Sequence, residues 1–224
     1  MRVIIKGVMV KFLRQEEVVQ FWDKRHSLMN EYSGGDKGLS DSENYEFYVH
    51  RLNCILGIIR KNFYGVRHLD ILDAGCGKGL FARGFYLAGY KPVGVDSSEF
   101  AINECRKNIP QCVFECQDLA KFDINKTFDV AVCIDVLFHI VDDAVWRKVL
   151  ERIAHALRYD GIMIVSDANF ANKITRLGKN GYIVYRNEEY YKEVMLDMGF
   201  ELCRVIPYNI FSNQNRFMVF RRLR

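Results

Sequence analysis

Residues 69–79 read Leu-Asp-Ile-Leu-Asp-Ala-Gly-Cys-Gly-Lys-Gly, an apolar run followed by a turn with glycine at positions 75, 77 and 79. The apolar run predicts a buried strand that ends at Asp73. Because glycine has no Cβ, the turn would let a ligand approach the backbone closely. Open parallel sheets bind their ligands at the carboxyl ends of the strands. The stretch therefore predicts a ligand site where this strand ends.

Downstream of this turn, short apolar runs alternate with helical patterns. The predicted strands cover 69–72, 92–95, 112–116, 128–134 and 162–165. Such alternation predicts a parallel sheet with helices on both faces. Two final strands, at 200–206 and 216–220, have no helix between them and should pair antiparallel at one edge. We predict an α/β, Rossmann-like, seven-stranded and mostly parallel sheet whose last strand is antiparallel.

The residues before the first strand differ in composition and hydrophobic pattern. They are polar and aromatic, with a turn-like stretch at 33–38 and apolar residues at steps of three and four between Tyr45 and Ile59. We predict an N-terminal helical cap with a lead-in helix over 1–67, followed by a ligand-binding domain over 68–224. A length of 224 residues suits one domain of this kind.

Composition excludes several classes of protein. Half of the residues are hydrophobic and 27% are charged, so the chain can bury a core. A net charge of 32 − 28 = +4 is far below that of a dedicated nucleic-acid binder. No apolar run approaches the ~20 residues of a membrane span, and seven cysteines without a Cys-x-x-Cys pair favour free thiols. We expect a cytoplasmic protein without a nucleic-acid or membrane partner, and a homodimer is left open.

Acidic residues follow four of the predicted strands. They are Asp73, Asp96, Asp118 and Asp135. Asp96 stands 96 − 77 = 19 residues after Gly77, where an acid can accept hydrogen bonds from a ribose diol. The dinucleotide fingerprint would need glycine at position 80, which is Leu80. An acid beside the turn repels a pyrophosphate and suits a cationic ligand. The pattern therefore indicates a nucleoside-containing cofactor other than a dinucleotide.

Four stretches of the chain form a joint pattern. They are Ile71-Leu72-Asp73-Ala74-Gly75-Cys76-Gly77-Lys78-Gly79, Val93-Gly94-Val95-Asp96-Ser97-Ser98, Cys116-Gln117-Asp118-Leu119 and Phe128-Asp129-Val130-Ala131-Val132-Cys133-Ile134-Asp135-Val136-Leu137-Phe138-His139-Ile140. In these stretches the chain resembles class I S-adenosylmethionine-dependent methyltransferases of the small-molecule type. The stretches occur in the family's order, each at the end of a predicted strand. The resemblance implies that 68–224 binds S-adenosyl-L-methionine and releases S-adenosyl-L-homocysteine.

The resemblance also implies roles for individual residues. The backbone of Gly75 and Gly77 would line the methionine portion of the cofactor, and Asp73 would face its amino group, directly or through water. Asp96 would hold the ribose hydroxyls. The adenine would lie beside Ser97, Asp118 and Leu119. The carbonyl of Ile134 would approach the ammonium, and Arg51 would meet the carboxylate.

His139 is the candidate catalytic base. It lies four residues after Asp135, above the strand ends, and histidine titrates near neutral pH. The alternative is a histidine that packs under the cofactor without taking a proton.

Candidates for binding the substrate come from two segments. Trp22, His26 and Tyr32 belong to the cap, which would form a lid that excludes water; the alternative is a helix that only docks on the sheet. Arg176 belongs to an insertion at 169–186 whose polar residues suit a small polar substrate.

A metal-dependent variant of the chemistry is also conceivable. Catechol-type methyltransferases bind a divalent ion through an acid after the fourth strand and an Asp-Asn pair after the fifth. This chain has Asp135 and then Asp167-Ala168-Asn169, in which alanine separates the pair. We therefore predict no metal.

The sequence is most consistent with a methyltransferase that forms an O-methyl product on a small polar molecule. Family likeness suggests sugar, polysaccharide or natural-product biosynthesis. Two alternatives are an N-methyltransferase acting on a small amine and a non-catalytic, methyltransferase-like binding module.

Overall fold

A computed structural model describes residues 2–5, 8–11, 13–176, 181–208 and 215–224, with side chains from residue 13 onward other than that of Arg176. Seven strands of this part of the chain form one sheet. They are β3 Asp70–Ala74, β4 Lys91–Asp96, β5 Val113–Cys116, β6 Phe128–Cys133, β7 Leu157–Ala168, β10 Phe200–Pro207 and β11 Asn215–Arg222. Their order across the sheet is β10-β11-β7-β6-β3-β4-β5.

The strand directions confirm the predicted fold class. Strands β3 to β7 pair in parallel. Strand β11 runs antiparallel to both of its neighbours, β7 and β10, so the hairpin of the last two strands lies at one edge with β11 inside. Strand β7 begins five residues earlier than predicted, because the chain passes through Asp160 and Gly161 with a register shift against β6 instead of turning there. Asp160 takes a left-handed backbone conformation at this point.

Helices cover both faces of the sheet. They are α2 Asp41–Asn62, α3 Leu80–Leu87, α4 Glu99–Asn108, α5 Asp143–Ala156 and α6 Glu188–Asp197, with a short 3₁₀ turn at Leu137–His139. On one face, Trp146 of α5 is buried with Leu72 of β3. On the other, Ile55 and Ile59 of α2 are fully buried in the same cluster as Ile71 of β3, each contributing about 2 kcal/mol of hydrophobic stabilisation. Helix α2 therefore shares the core of the sheet although it precedes residue 68.

The N-terminal segment contains more than helices. A hairpin of β1 Arg2–Ile5 and β2 Val8–Lys11 precedes helix α1, Gln15–Leu28. The insertion after β7 forms a second hairpin, β8 Ile174–Arg176 with β9 Val184–Arg186. Neither hairpin was predicted from the sequence. Across the described ranges, none of the helices combines the length and the apolar character that a bilayer crossing requires.

Candidate active site

A cavity of about 430 Å³ lies at the carboxyl ends of β3, β4 and β6, beneath helix α1. Its position agrees with the general rule for parallel sheets. Most of the residues predicted for the site line it. They are Trp22, His26, Arg51, Gly75, Gly77, Asp96, Ser97, Asp118, Leu119, Ile134 and His139.

The glycine turn after β3 is closely packed against its surroundings. Gly75 has φ +80° and Gly77 has φ +50°, in the left-handed region that side chains rarely adopt. A Cβ on Gly75 would come within 2.4 Å of Val136 Cγ2. The backbone N–H of Gly75 donates to the carbonyl of Val95 at 2.7 Å, which ties the turn to β4. Only glycine fits this place without displacing the neighbouring strand end.

The carboxylate of Asp96 is held by two backbone donors. The N–H of Gly77 donates to Oδ2 at 2.8 Å, and the N–H of Ser98 donates to Oδ1 at 2.9 Å. These bonds fix the plane of the carboxylate at the end of β4. Each carboxylate oxygen has a second lone pair, so the group can still accept two hydrogen bonds from a vicinal diol.

The segment after β5 forms a short turn that borders the cavity. Asp118 Oδ1 accepts a hydrogen bond from the N–H of Ala120 at 2.9 Å, so the side chain caps this turn as well as lining the pocket. Leu119 is almost fully buried. Ser97 also lines the cavity, whereas Ser98 caps α4 by accepting from the N–H of Ala101.

Arg51 is buried among aromatic rings. Its side chain is only 1% exposed, and its guanidinium carbon lies 4.0 Å from the ring centroid of Phe47 and 4.3 Å from that of Tyr48. It makes an ion pair with Asp135. Its Nη2 has no hydrogen-bond partner among the described residues. Burial lowers the pKa of Arg51 from its usual value.

Asp135 is held in place by residues that the sequence reasoning missed. Its Oδ1 accepts hydrogen bonds from Ser166 Oγ at 2.9 Å and Tyr208 Oη at 3.0 Å. Ser166 lies on β7, and Tyr208 directly follows β10. The partners are 31 and 73 residues away along the chain. Their contact follows from the strand order, and no local sequence signal indicated it.

Asp73 does not line the cavity, although a direct contact with the cofactor was one expectation for it. It is 2% exposed, and its Oδ2 has no partner in the described part of the chain. Burial raises the pKa of Asp73 to about 7, with a smaller contribution from the nearby charge of Asp96. The side chain stands behind the glycine turn because β3 points it into the core.

Helix α1 forms the roof of the cavity through Trp22 and His26. His26 is buried, and its Nδ1 lies 2.7 Å from Ser33 Oγ. A Cβ on Gly77 would approach the His26 ring at 3.3 Å, so this histidine sits directly on the glycine turn. Burial lowers the pKa of His26. The cap therefore makes contact with the turn that ends β3.

Tyr32 needs a correction, because it was expected to bind substrate. It does not line the cavity. Its ring packs beside Tyr45 and Tyr48 of α2, with centroid distances of 6.4 and 6.1 Å. Its neighbours Glu31 and Gly34 do line the cavity, so the segment after α1 borders it without the Tyr32 ring.

His139 lies in the 3₁₀ turn after β6 and faces the cavity. Its Nδ1 lies 3.2 Å from the carbonyl oxygen of Tyr182. A carbonyl only accepts, so Nδ1 carries the proton and Nε2 keeps its lone pair. The ring of Trp22 lies 4.6 Å away and that of Phe138 4.5 Å away. Desolvation among these rings lowers the pKa of His139 to about 3, helped by the charge of Arg25, although the bond to Tyr182 opposes the shift.

None of the described residues of the insertion lines the cavity, although a polar wall was expected there. Lys173 is 57% exposed and pairs with Glu193. The side chain of Arg176 lies outside the described residues. Tyr182 stacks on Phe21 of α1 at 4.7 Å. The apolar residues Val18, Val19, Ile140, Val145 and Val149 also line the cavity.

Asp167, considered above as a metal ligand, is fully buried. Its Oδ1 accepts from the N–H of Ala168, and its Oδ2 accepts from the N–H of Arg186 and from Tyr191 Oη at 2.9 Å. Burial raises the pKa of Asp167 to about 7, against these hydrogen bonds. Its oxygens, like those of Asp135, are thus engaged by donors of the protein itself.

Residues 71–161 match the family model of a methyltransferase domain. A ubiquinone biosynthesis O-methyltransferase of Rickettsia prowazekii (strain Madrid E) is 28% identical over 147 residues, covering 61% of this chain and 57% of that protein. A protein of the same name from Bradyrhizobium diazoefficiens is 30% identical over 129 residues, covering 56% of this chain and 46% of that protein. The match thus spans about half the length of these two relatives.

Solved structures of similar fold cover nearly the whole chain. Magnesium protoporphyrin IX methyltransferase from Synechocystis PCC 6803, with bound S-adenosylmethionine, has a TM-score of 0.69 at 19% identity and covers 94% of this chain and 98% of its own. The N-methyltransferase NodS from Bradyrhizobium japonicum WM9, in complex with S-adenosyl-L-homocysteine, has a TM-score of 0.70 at 15% identity, covering 92% and 98%.

The chain therefore has the fold of class I methyltransferases, and its residues 71–161 match a methyltransferase domain. S-adenosyl-L-methionine is the cofactor of this class.

Proposed function

We propose that the protein transfers the methyl group of S-adenosyl-L-methionine to a hydroxyl group of a small acceptor. The observation that carries the proposal is a single cavity that connects the glycine turn and Asp96 with His139 beneath helix α1. Cofactor and acceptor would meet inside it. The names of the curated relatives, which are O-methyltransferases, support a hydroxyl acceptor.

The residues present fit the cofactor. Asp96 would accept from the ribose hydroxyls, and Ser97, Asp118 and Leu119 would border the adenine. Arg51 lines the cavity, and its buried Nη2, which has no partner in the described part of the chain, would meet the carboxylate of the methionine end. A buried polar group without a partner is costly, so this atom supports an acidic ligand. Asp73 stands behind the glycine turn, so it would face the ammonium through water.

The roles of the protein in the transfer are positioning and proton acceptance. When bound, the cofactor supplies an electrophilic methyl group on a sulfonium, which leaves as a neutral thioether. His139 Nε2 would accept the hydroxyl proton as the oxygen–carbon bond forms. Its low pKa keeps this nitrogen unprotonated at neutral pH. Helix α1 would exclude water from the reacting groups. We propose that no metal acts through Asp135 and Asp167, because protein donors already engage both acids.

The acceptor end of the cavity favours a planar or apolar molecule over a sugar. Trp22, His139, Ile140, Val145 and Val149 all line the cavity. Aromatic faces bind flat rings well. A phenol-type hydroxyl therefore suits the site better than the carbohydrate acceptor that family likeness suggested. A phenol also releases its proton more easily than a sugar alcohol, which matches a weak base.

Cysteine chemistry supports a cytoplasmic location. All seven cysteines are free thiols, and unpaired thiols persist in reducing compartments. Burial raises the pKa of Cys133 and Cys76, so neither is an activated nucleophile.

The test combines calorimetry with turnover of two variants. Asp96→Ala should lower the affinity for cofactor and for S-adenosyl-L-homocysteine by about 10-fold or more, because two hydrogen bonds to the ribose are lost. His139→Ala should lower turnover of a phenolic acceptor by ~10²-fold while cofactor affinity stays within about 3-fold.

The acceptor assay needs three arms: phenols, sugar nucleotides and small amines, each with and without a chelator. Wild-type protein that binds no cofactor would overturn the proposed activity. Near-wild-type turnover of His139→Ala would remove this residue from the mechanism, and methylation of amines alone would replace the O-methyl assignment.

A further inference from the structure

Arg186 is a fully buried cation beside the 3₁₀ turn, and neither the sequence reasoning nor the proposed mechanism gives it a role. It ends strand β9, and its side chain is 0% exposed. The guanidinium carbon lies 4.6 Å from the ring centroid of Trp146. Nε donates to Asp143 Oδ1 at 2.8 Å, and Asp143 is itself fixed by Tyr190 Oη at 2.6 Å.

The remaining donors of Arg186 go to backbone carbonyls. Nη2 donates to the carbonyl of Ile140 at 3.0 Å. Nη1 donates to the carbonyls of Leu137 at 3.4 Å and Val184 at 3.3 Å. Leu137 and Ile140 stand on either side of His139 in the 3₁₀ turn. One guanidinium therefore ties down both ends of the turn that presents the candidate base.

The hairpin of β8 and β9, to which Arg186 belongs, also holds the imidazole of His139. The carbonyl of Tyr182, which lies just before β9, accepts from His139 Nδ1. The backbone N–H of Arg186 is in turn fixed by Asp167 at the end of β7. The insertion thus contacts the turn through the Arg186 side chain and contacts the ring through the Tyr182 carbonyl.

Stability alone does not explain a buried arginine at this position. Taking a guanidinium out of water is costly, and a well-packed apolar side chain is often as stable as a buried ion pair. The planar guanidinium group differs from an apolar side chain in one respect, because its N–H donors can hold several acceptors in a fixed relative geometry. Here those acceptors are one carboxylate and three carbonyls.

We propose that Arg186 is a positioning residue for methyl transfer: its guanidinium fixes the 137–140 turn and thereby the orientation of the His139 imidazole toward the acceptor. This inference rests on the proposed role of His139 as base. It assigns to the insertion hairpin a function in arranging the acceptor side of the site, while the glycine turn and Asp96 arrange the cofactor side.

The first test compares Arg186→Lys with Arg158→Lys in the full chain. Lysine keeps the charge but loses the planar guanidinium group. Arg158 is a matched control, since it makes ion pairs with Asp70 and Asp129 at the opposite end of the sheet. Arg186→Lys should lower kcat by about 10-fold or more, with cofactor affinity within about 3-fold of wild type. Arg158→Lys should leave both quantities within about 2-fold.

A second measurement does not depend on turnover. In ¹⁵N spectra of imidazole-labelled protein, wild-type His139 should appear as the neutral form with the proton on Nδ1. In Arg186→Lys the His139 ring should show exchange between tautomers, because the hydrogen bond from its Nδ1 to the Tyr182 carbonyl is no longer held in one geometry. If Arg186→Lys does not fold, Asp143→Ala takes its place, and Asp143→Asn, which keeps an acceptor for Nε, is its control.

Combining the variants separates the positioning role of Arg186 from the role of His139 as base. On a His139→Ala background, Arg186→Lys should cause no further loss of kcat, because the two residues act through one step. An equal loss on both backgrounds, or unchanged nitrogen spectra in Arg186→Lys or Asp143→Ala, would overturn the positioning role. If His139→Ala alone keeps wild-type turnover, the base assignment fails, and the spectra still decide whether Arg186 holds the ring.

Discussion

Gly75 shows how closely the glycine turn after β3 is packed. Two separate costs oppose any side chain there: a left-handed φ of +80° and a Cβ contact of 2.4 Å with Val136 Cγ2. Gly65, after helix α2, provides a comparison within the same chain. It has φ +75°, but a Cβ there would meet no atom within 4 Å. Comparing substitutions at Gly65 and Gly75 therefore separates the cost of backbone strain from the cost of a steric clash.

Gly65→Ala should lower the free energy of unfolding by about 1 kcal/mol, the usual cost of a left-handed alanine. Gly75→Ala should lower it by about 3 kcal/mol or more, because overpacking adds to the strain, and should weaken cofactor binding by at least about 10-fold. Urea denaturation and calorimetry measure the two effects. Val136→Ala in the Gly75→Ala background should restore part of the stability, and equal losses for the two glycine variants would refute the clash.

Sequence reasoning brought the glycine turn and Asp96 to one cavity because these residues are local. Gly75, Gly77 and Asp96 belong to successive strand–turn units, so spacing alone places them together. The partners of Asp135 were not predictable, since Ser166 and Tyr208 reach it only through the order of strands β6, β7, β11 and β10. Arg186 was missed because a charged residue in a polar insertion gives no sign of complete burial.

Helix α1 is the element that closes the cavity, and three hydrogen bonds along its length hold it there. Gln15 Oε1 accepts from the N–H of Val141 at 3.0 Å. Asp23 Oδ1 accepts from Ser98 Oγ at 2.6 Å, and Lys78 Nζ donates to the carbonyl of Met29 at 2.8 Å. The bond in the middle joins the helix to the segment that carries Asp96, so the roof and the cofactor side are linked directly.

Asp23→Ala should loosen this roof. Loss of one part-buried hydrogen bond to a charged group should raise the dissociation constant of the cofactor by about 3- to 10-fold. Backbone amides of α1 should also exchange hydrogen faster. Asp23→Asn is the matched control, because its amide oxygen can still accept from Ser98. Equal affinities of Asp23→Ala and wild type would show that α1 docks on the sheet without acting as a lid.

At the level of elements, the sheet was predictable and the hairpins were not. Alternating apolar runs and helical patterns predicted all seven strands of the sheet, and the signal was strongest in the inner strands, which have continuous buried runs. The hairpin of β8 and β9 has short strands outside the sheet, whose polar residues lack a clear alternation. Its position over the 3₁₀ turn depends on tertiary contacts such as those of Arg186.

The two ends of the sheet differ in their electrostatics, and β3 carries one acid at each end. Asp73 lies at the site end, where burial raises its pKa to about 7. Asp70 begins the strand at the other end. Burial would raise its pKa too, but hydrogen bonds from Lys126 and Arg158 outweigh that effect and lower it. The folded protein therefore favours a proton on Asp73 and a charge on Asp70.

These two acids should give opposite pH dependences of stability. Asp73 takes up its proton more readily in the folded chain, so its contribution is complete below about pH 4 and is lost as the pH rises toward 7. Wild type should therefore lose stability relative to Asp73→Asn over this range. Asp70 is ionised more readily when folded, so wild type should lose stability relative to Asp70→Asn only on acidification below about pH 4.

Urea denaturation of wild type, Asp73→Asn and Asp70→Asn without cofactor, from below about pH 4 to about pH 7, measures both trends. A difference between wild type and Asp73→Asn that stays constant from about pH 4 to 7 would mean that Asp73 is charged in the folded protein. Burial would then leave the pKa of Asp73 near its ordinary value, and the opposite trends expected for the two acids would be refuted.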